Sequence, residues 1–359
     1  MTVRPDVDGV VLVGGRGTRL WPLTLTAAKP LLPTAGVPFL EHLLSRIRAA
    51  GIQHVVLGTS YKAETFKGHI GDGSAFGLEI EYVVEDTPLG TGGAIANVSD
   101  RLRGRTAVVF NGDILSAVDL PGLLAAHEER SADVTLHLVK VADPRAFGCV
   151  PTDRDGRVQA FLEKTVNPPT NQINAGCYVF RRSVLESIPA GRVVSVERET
   201  FPGLLDAGTA IFGYVDSSYW LDLGTPAAYV RGSADLVCGI APTWALPGPV
   251  GDALVLIGAW VAEGAVVTGG STVGRNARVG AGAVIDTSIL FDGAVVGEDT
   301  RVIRSVIGSG TRIGAGALIC DAVIGDGANV GAGCELRHGA RVWPGMRLPP
   351  GAVRFSPDA

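Results

Sequence analysis

The sequence predicts an α/β domain with a mostly parallel sheet, followed by a parallel β-helix of hexapeptide repeats. Three observations predict it. Short apolar runs alternate with amphipathic stretches through the first two thirds of the chain, and aliphatic residues then recur every six positions. Between the two regions lies "GIAPTWALPGPVGD", residues 239–252, with three prolines and three glycines. A chain of 359 residues also exceeds what one hydrophobic core usually serves. The expected organisation is an α/β domain over 1–238, a linker over 239–252 and a β-helix over 253–359.

In the first region "GVVLV" (9–13), "HVVLGTS" (54–60), "LEIEYVVE" (78–85), "TAVVFNGD" (106–113), "ADVTLHLVKV" (132–141), "CYVF" (177–180) and "TAIFGYV" (209–215) read as strands. Phe39, Leu40, Leu43, Leu44 and Ile47 recur at helical spacing, with Gly51 placed to end that helix. Residues 119–130 and 226–237 read as further helices. Strand–helix alternation of this kind implies a sheet covered on both faces.

In the last region Val261, Val267, Val273, Val279 and Ile285 lie six apart. So do Leu290, Val296 and Val302, then Ile307, Ile313 and Ile319, then Ile324, Val330, Leu336 and Val342. Six residues fit neither a helix nor an ordinary two-sided strand. They fit a triangular prism in which one inward aliphatic marks each face. The five-residue steps 285→290, 302→307 and 319→324 recur every 17 residues, which puts each shortened corner on one edge. Glycines are expected at the tight corners, and their number, 49, is in keeping with that.

Bulk properties narrow the function. Hydrophobic content of 46% and mean hydropathy of +0.28 exclude a mainly disordered chain. A net charge of −5, without a basic run, argues against a nucleic-acid surface. Residues 1–8 lack an apolar core and no run of 18 apolar residues exists, so neither a leader nor a membrane span is expected. Five widely spaced cysteines, an odd number without C-x-x-C, read as buried thiols of a reducing cytoplasm.

The chemistry begins at "LVGGRGTRLWPLTLTAAKPLLP", residues 12–33. It follows a strand and precedes a helix, where backbone amides freed by Gly14, Gly15 and Gly17 can face an anion. Arg19 and Lys29 add fixed positive charge with no carboxylate near them in sequence. There is no Walker A pattern, and Leu20 interrupts G-x-G-x-x-G. By itself the segment reads equally as a structural turn.

The rest of the chain decides between the two. "LVGGRGTRLWPLT" and "KPLLP" are followed by "EDTPLGTGGAI" (85–95), "FNGDIL" (110–115), "FGCV" (147–150), "FLEKT" (161–165), "NAGCYVF" (174–180) and "WLDLGTP" (220–226). In this order the motifs resemble those of the sugar-1-phosphate nucleotidyltransferases, and most closely the actinobacterial mannose-1-phosphate guanylyltransferases (GDP-mannose pyrophosphorylases). The resemblance covers almost the whole chain. It implies a Rossmann-like catalytic domain, a left-handed β-helix, and transfer of GMP from GTP to a sugar 1-phosphate, best mannose 1-phosphate, with release of pyrophosphate.

The same resemblance implies the site residues. Leu12, Gly14, Gly15, Gly17, Thr18, Arg19, Lys29, Glu85, Pro88, Gly90, Thr91, Gly112 and Asp113 would bind the nucleotide. Glu85 would accept the two adjacent N–H donors of guanine; the alternative is a strand end in solvent. Arg19, Lys29 and Asp113 would be catalytic, the two cations on the triphosphate. Asp113 and Asp222 would hold Mg²⁺, a hard cation that takes oxygen ligands. Taken singly, Asp113 reads as an Asx turn and Asp222 as the N-cap of the following helix. Lys164 would bind the sugar phosphate and Glu163 its hydroxyls, or the two form a solvated pair. Asn174 and Gly148 would contact the sugar, or serve a bulge and backbone geometry.

Two positions depart from the family pattern: Ala28 stands before the motif lysine instead of Pro, and Trp21 where close relatives often carry Arg. No histidine is placed as a base. Three rival readings follow from the same residues. The acceptor is a cyclitol phosphate such as valienol 1-phosphate, the chain is a non-catalytic regulatory subunit, or the β-helix performs acyl transfer. The last needs a base, and the β-helix holds only His338. The β-helix is expected to pack on the catalytic domain and to assemble subunits into a homo-oligomer.

Overall fold

The computed structural model describes residues 3–60 and 62–354; the outermost parts of the expected domains, 1–2 and 355–359, lie outside the described residues. Packing groups the chain into two compact units, Met1–Gly15 with Leu43–Trp220, and Arg16–His42 with Leu221–Ala359. The unit that contains the β-helix thus also takes in residues 16–42 and 221–238, which the sequence places before the linker.

In the first unit nine strands form one sheet. They are β1 (Val7–Leu12), β2 (His54–Thr59), β3 (Glu79–Val84), β4 (Thr106–Asn111), β5 (Val134–Lys140), β6 (Gly148–Cys149), β7 (Leu162–Glu163), β8 (Gln172–Arg181) and β9 (Ile211–Asp216). The order runs β7-β6-β8-β4-β1-β2-β3, with β5 joining β8 to β9. Strands β4, β1, β2 and β3 are parallel, while β8 runs antiparallel to both β4 and β5. The sequence reading of β8 as residues 177–180 is too short. It begins five residues earlier because polar Gln172 and Asn174 continue the ladder around a break in register between Asn174 and Tyr178. Gly176 occupies that break at φ 73°, its Cα facing the Asn111 side chain. The expected helices appear as α1 (Phe39–Ala49), α3 (Leu120–Glu129) and α4 (Pro226–Val237), and α2 (Gly90–Asn97) was not foreseen. One face of the sheet buries Val10, Val56, Val109, Leu136 and Phe180 among others against Ile95, Leu185 and Phe201.

In the second unit the hexapeptide residues form three parallel sheets, the architecture of a left-handed β-helix. Val273, Leu290, Ile307 and Ile324 stack in register, as do Val279, Val296, Ile313 and Val330, and Ile285, Val302, Ile319 and Leu336. These side chains fill the prism, and each contributes about 1.5–3 kcal/mol by leaving water. The 17-residue repeat is therefore one coil. The shortened corners lie on one edge, but glycine does not make them. Thr287, Arg304 and Asp321 take the left-handed conformation there, with φ of 47°, 46° and 50°. Strain of about 1–3 kcal/mol at each is offset by a buried ladder: Ser271 Oγ accepts from Ser288 N–H, Ser288 Oγ from Ser305 N–H, and Ser305 Oγ from Ala322 N–H, at 3.0–3.1 Å. Glycine serves the other two edges, as at Gly293, Gly310 and Gly327, and at Gly282, Gly316 and Gly333.

The segment 16–42 packs on this framework. Leu20, Leu23 and Leu32 form one core with Tyr229 and Val230 of α4 and with Ile289, Phe291, Val306 and Val323 of the β-helix. Tyr229 donates its hydroxyl hydrogen to the Pro33 carbonyl. His42 bonds Thr243 and the Thr34 carbonyl, which makes it a structural histidine. All five cysteines are free; Cys149, Cys177 and Cys334 are buried as expected, whereas Cys238 and Cys320 are only partly so. Among the described residues no helix is long and apolar enough to cross a membrane.

A buried pair ties β1 to β2. His54 Nδ1 meets Asp8 Oδ1 at 2.8 Å, and Asp8 Oδ2 accepts the Arg103 and Gly104 amides at 2.7 Å. Burial alone pushes the Asp8 carboxyl up, but His54 and the two amides outweigh it and hold it below its ordinary 3.8. Burial likewise pushes His54 down, and Asp8 outweighs that and holds it above 6.5. A raised His54 contributes stability that is complete below pH 6.5 and lost as pH rises through its folded value. A lowered Asp8 contributes stability that is lost as pH falls through its own. Urea unfolding of the protein and of His54→Gln should therefore differ more at pH 6 than at pH 9.

Candidate active site

The first unit gathers its motif residues at the carboxyl ends of its parallel strands, where an open α/β sheet binds ligands. Leu12 ends β1 and is followed by Gly14 and Gly15; Glu85 follows β3; Gly112 and Asp113 follow β4. Backbones approach closely here. Gly112 N–H donates to Leu12 O at 2.9 Å, and a Cβ on Gly112 would stand 2.6 Å from that oxygen. Ser60 Oγ donates to Gly14 O at 2.6 Å, while the space around Gly15 is open for 4 Å.

Glu85 does not end its strand in solvent. It is buried, its Oε2 accepts the Leu89 amide at 3.2 Å, and burial pushes its carboxyl above the usual range, the Leu89 bond only partly opposing this. Pro88 and Gly90 are exposed beside it. Gly90 sits at φ 71° against the Val194 carbonyl, where a Cβ would clash at 2.6 Å. The Thr91 hydroxyl is engaged within the protein: it donates to Glu197 Oε2 at 2.8 Å and accepts the Val196 amide at 2.9 Å.

The residues expected around the acceptor form a second group in this unit. Gly148 pairs with Glu163 across β6 and β7, and any side chain at 148 would strike Phe161 and the Glu163 carboxylate. Lys164 follows at φ 50°, a left-handed conformation for a residue other than glycine, fixed by the hydrogen bond its N–H donates to the Phe147 carbonyl at 3.1 Å. Such strain is common where geometry serves a ligand. Its ammonium is exposed and 3.4 Å from Glu163 Oε1. Asn174 is turned onto the protein: Nδ2 donates to the Tyr178 hydroxyl at 2.7 Å and Oδ1 accepts the Gly176 amide at 3.0 Å.

The second unit holds the cationic part. Gly17 takes φ 61° ahead of a turn through Thr18–Leu20, and its carbonyl accepts the Thr24 hydroxyl at 2.9 Å. A Cβ there would press on Thr24 and on the stem of Lys29 at 3.0–3.1 Å, so glycine lets Lys29 close over the turn. Arg19 and Lys29 do have a carboxylate partner, contrary to the expectation from their sequence neighbours. Asp222 Oδ2 lies 3.9 Å from Arg19 Nη2 and Oδ1 lies 4.0 Å from Lys29 Nζ. At such separations each contact is an ion pair without a short hydrogen bond. Asp222 is not the N-cap of α4; Thr225 is, accepting the Ala228 amide at 3.2 Å.

Two residues of this arrangement were missed in the sequence. Gly224 stands inside the quoted "WLDLGTP", and a Cβ on it would run into the Arg19 guanidinium and come within 2.8 Å of Asp222 Oδ1. Tyr178, buried beneath Asn174, holds that side chain in place. The first was legible as a motif glycine; nothing in the pattern marked the second. Asp113 in the first unit and Asp222 in the second each offer hard carboxylate oxygens, which suit a divalent cation of the magnesium type and not a soft metal. Among the described residues no three His, Cys, Asp or Glu side chains gather into a closed cage, so phosphate oxygens would complete such a shell.

An open α/β sheet with glycine turns at its strand ends, and a segment bearing a paired arginine and lysine, define a phosphate-transfer enzyme that handles nucleotides. The chain belongs to the nucleotidyl transferase family, whose model matches residues 8–237, and a GMPPB C-terminal domain matches residues 250–347. It is 64% identical over 98% of its length, and 99% of the relative's, to a mannose-1-phosphate guanylyltransferase of Mycobacterium tuberculosis. It is 32% identical to mannose-1-phosphate guanylyltransferase 1 of Arabidopsis thaliana, over 82% of each chain. Among solved structures, HddC from Yersinia pseudotuberculosis complexed with GMP-PN matches with a TM-score of 0.56 at 28% identity, covering 63% of this chain and 97% of that one.

Replacing Gly224 by Ala should displace the Arg19 guanidinium, a mobile group, and leave the fold within about 0.5 kcal/mol of its stability. Calorimetric titration should show weaker binding of nucleoside triphosphate with an unchanged unfolding midpoint.

Proposed function

We propose that the protein is a guanylyltransferase that makes GDP-mannose from GTP and mannose 1-phosphate. The observation that carries this reading is the 64% identity, across nearly the full length of both chains, to a relative named for that activity. In the proposed reaction a phosphate oxygen of mannose 1-phosphate attacks the α-phosphorus of GTP in line. The new P–O bond forms as the α–β bridge breaks, and pyrophosphate leaves. No covalent intermediate on the protein is required, so the residues position the reactants and neutralise charge.

Arg19 and Lys29 bind the triphosphate and stabilise the negative charge that grows on pyrophosphate. The amides after β1 and the close approach at Gly112 give the nucleotide a backbone surface without side chains in its way. Lys164 holds the acceptor phosphate with Glu163 on the sugar, and Asn174, bonded to Tyr178 and Gly176, offers the sugar its second Nδ2 hydrogen. Glu85, buried and bonded to Leu89, faces guanine N–H donors; a pyrimidine of the uracil type offers no matching pair. Asp113 and Asp222 are the proposed ligands of Mg²⁺, which when bound supplies charge neutralisation between the phosphates. Asp222, 3.9–4.0 Å from Arg19 and Lys29, would hold the ion while the two cations serve the triphosphate. We place the reaction in the cytoplasm, in keeping with five free thiols. Assembly through the β-helix belongs to the same proposal and is supported by the exposed Ile257, Trp260 and Val266 on its outer faces.

Pyrophosphate release tests the reading, with GTP, ATP, UTP and dTTP each offered against mannose, glucose and cyclitol 1-phosphates. GTP with mannose 1-phosphate should turn over fastest. A preference for UTP or dTTP would overturn the base assignment, a preference for a cyclitol phosphate would overturn the acceptor, and no turnover with any pair would favour a regulatory subunit. Asp113→Asn and Asp222→Asn should each lower Mg²⁺-dependent turnover by about 10²-fold or more while circular dichroism and the unfolding midpoint stay unchanged.

A further inference from the structure

The sheet of the β-helix built from Ala253–Val255, Ser271–Val273, Ile289–Leu290, Val306–Ile307, Val323–Ile324 and Arg341–Val342 alternates in the usual way. Leu290, Ile307, Ile324 and Val342 point into the prism. Their neighbours Ile289, Val306, Val323 and Arg341 point out and form one row. Three members of that row are aliphatic and are covered by Leu20, Leu23 and Leu32. The fourth is a cation at the end of the same track. Arg341 Nη1 donates to the Trp21 carbonyl at 2.7 Å and Nη2 to the Arg19 carbonyl at 3.0 Å. A third tie lies alongside, Thr26 Oγ1 donating to Asp326 Oδ2 at 2.7 Å.

We propose that Arg341 is a positioning residue for the triphosphate-binding segment, its guanidinium fork fixing the backbone of Arg19 from the last part of the β-helix. The two carbonyls belong to the turn Thr18–Leu20 and the residue that closes it, a turn otherwise held by Leu20 N–H to Gly17 O and Trp21 N–H to Thr18 O. A planar fork meets two carbonyls from two nitrogens held at a fixed separation, whereas a lysine ammonium offers one nitrogen with rotatable donors. The backbone of Arg19 is thereby held from one side while its guanidinium lies over Gly224 and toward Asp222 on the other. Arg341 is exposed and borders a cavity of about 780 Å³ beside α4, so its truncation removes no core. On this account the β-helix sets the precision of nucleotide binding as well as supporting the fold.

The catalytic readout rests on the proposed function; the structural readout does not. In Arg341→Ala, kcat/KM for GTP should fall about tenfold to a hundredfold, with KM for mannose 1-phosphate unchanged. Hydrogen exchange should quicken in the peptide covering residues 16–27 and stay unchanged across 271–336. Arg341→Lys should recover the loss only in part. Unchanged exchange in 16–27 would overturn the proposal, as would full recovery in Arg341→Lys, since charge alone would then suffice. An equal loss toward both substrates would also overturn it. If the wild type turns over no pair of substrates, the proposed function fails, and the exchange measurement alone then supports or overturns the role of Arg341.

Discussion

Leu20, Leu23 and Leu32 are buried on Tyr229, Ile289, Val306 and Val323, and the placement of Arg19 and Lys29 follows from that contact. A segment with three glycines has no reason of its own to hold one shape. Burying three leucines supplies it, at about 1.5–3 kcal/mol each. The polar ties then set its details: Thr24 onto Gly17, Tyr229 onto Pro33, and Arg341 onto Arg19 and Trp21. The β-helix is regular along its length, so its outward row offers a rigid track for this purpose. Its rigidity comes from stacked aliphatics inside and from the serine ladder at the short corners.

Charge in the second unit is arranged in the same economical manner. One carboxylate, Asp222, faces both Arg19 and Lys29 at the limit of ion-pair distance. An exposed guanidinium in such a contact gains little stability. Gly224 makes room for it. The histidines at 42, 54, 69, 127 and 137 each bond a neighbouring protein group.

Much of the fold was legible because its signals are periodic. Alternating strands and helices in the first region and the six-residue spacing in the second were both read with boundaries close to those observed. Two departures have physical causes. The polar start of β8 hid Gln172 and Asn174, because a strand passing a bulge does not alternate cleanly. The short corners carry Thr287, Arg304 and Asp321 in place of glycine, because the buried serines stabilise a conformation that local sequence disfavours. The candidate site was read through motifs, with Gly224 an overlooked member of one. Tyr178 and Arg341 carried no signal, since each acts on a residue that is near it only after folding.

The sequence by itself determined the two architectures, the coil length of 17 residues and the identity of the charged and glycine residues that a phosphate site needs. These depend on spacing and residue type, which are local properties of the chain. The tertiary structure decided which groups those residues meet. It put Asp222 before Arg19 and Lys29, separated by about two hundred positions in the chain, and it joined residues 16–42 to the β-helix more than the order of the motifs suggested. It also brought Arg341 to the carbonyls of Arg19 and Trp21. Such pairings depend on the burial of Leu20, Leu23 and Leu32 against distant strands, and a one-dimensional pattern contains no term for that contact.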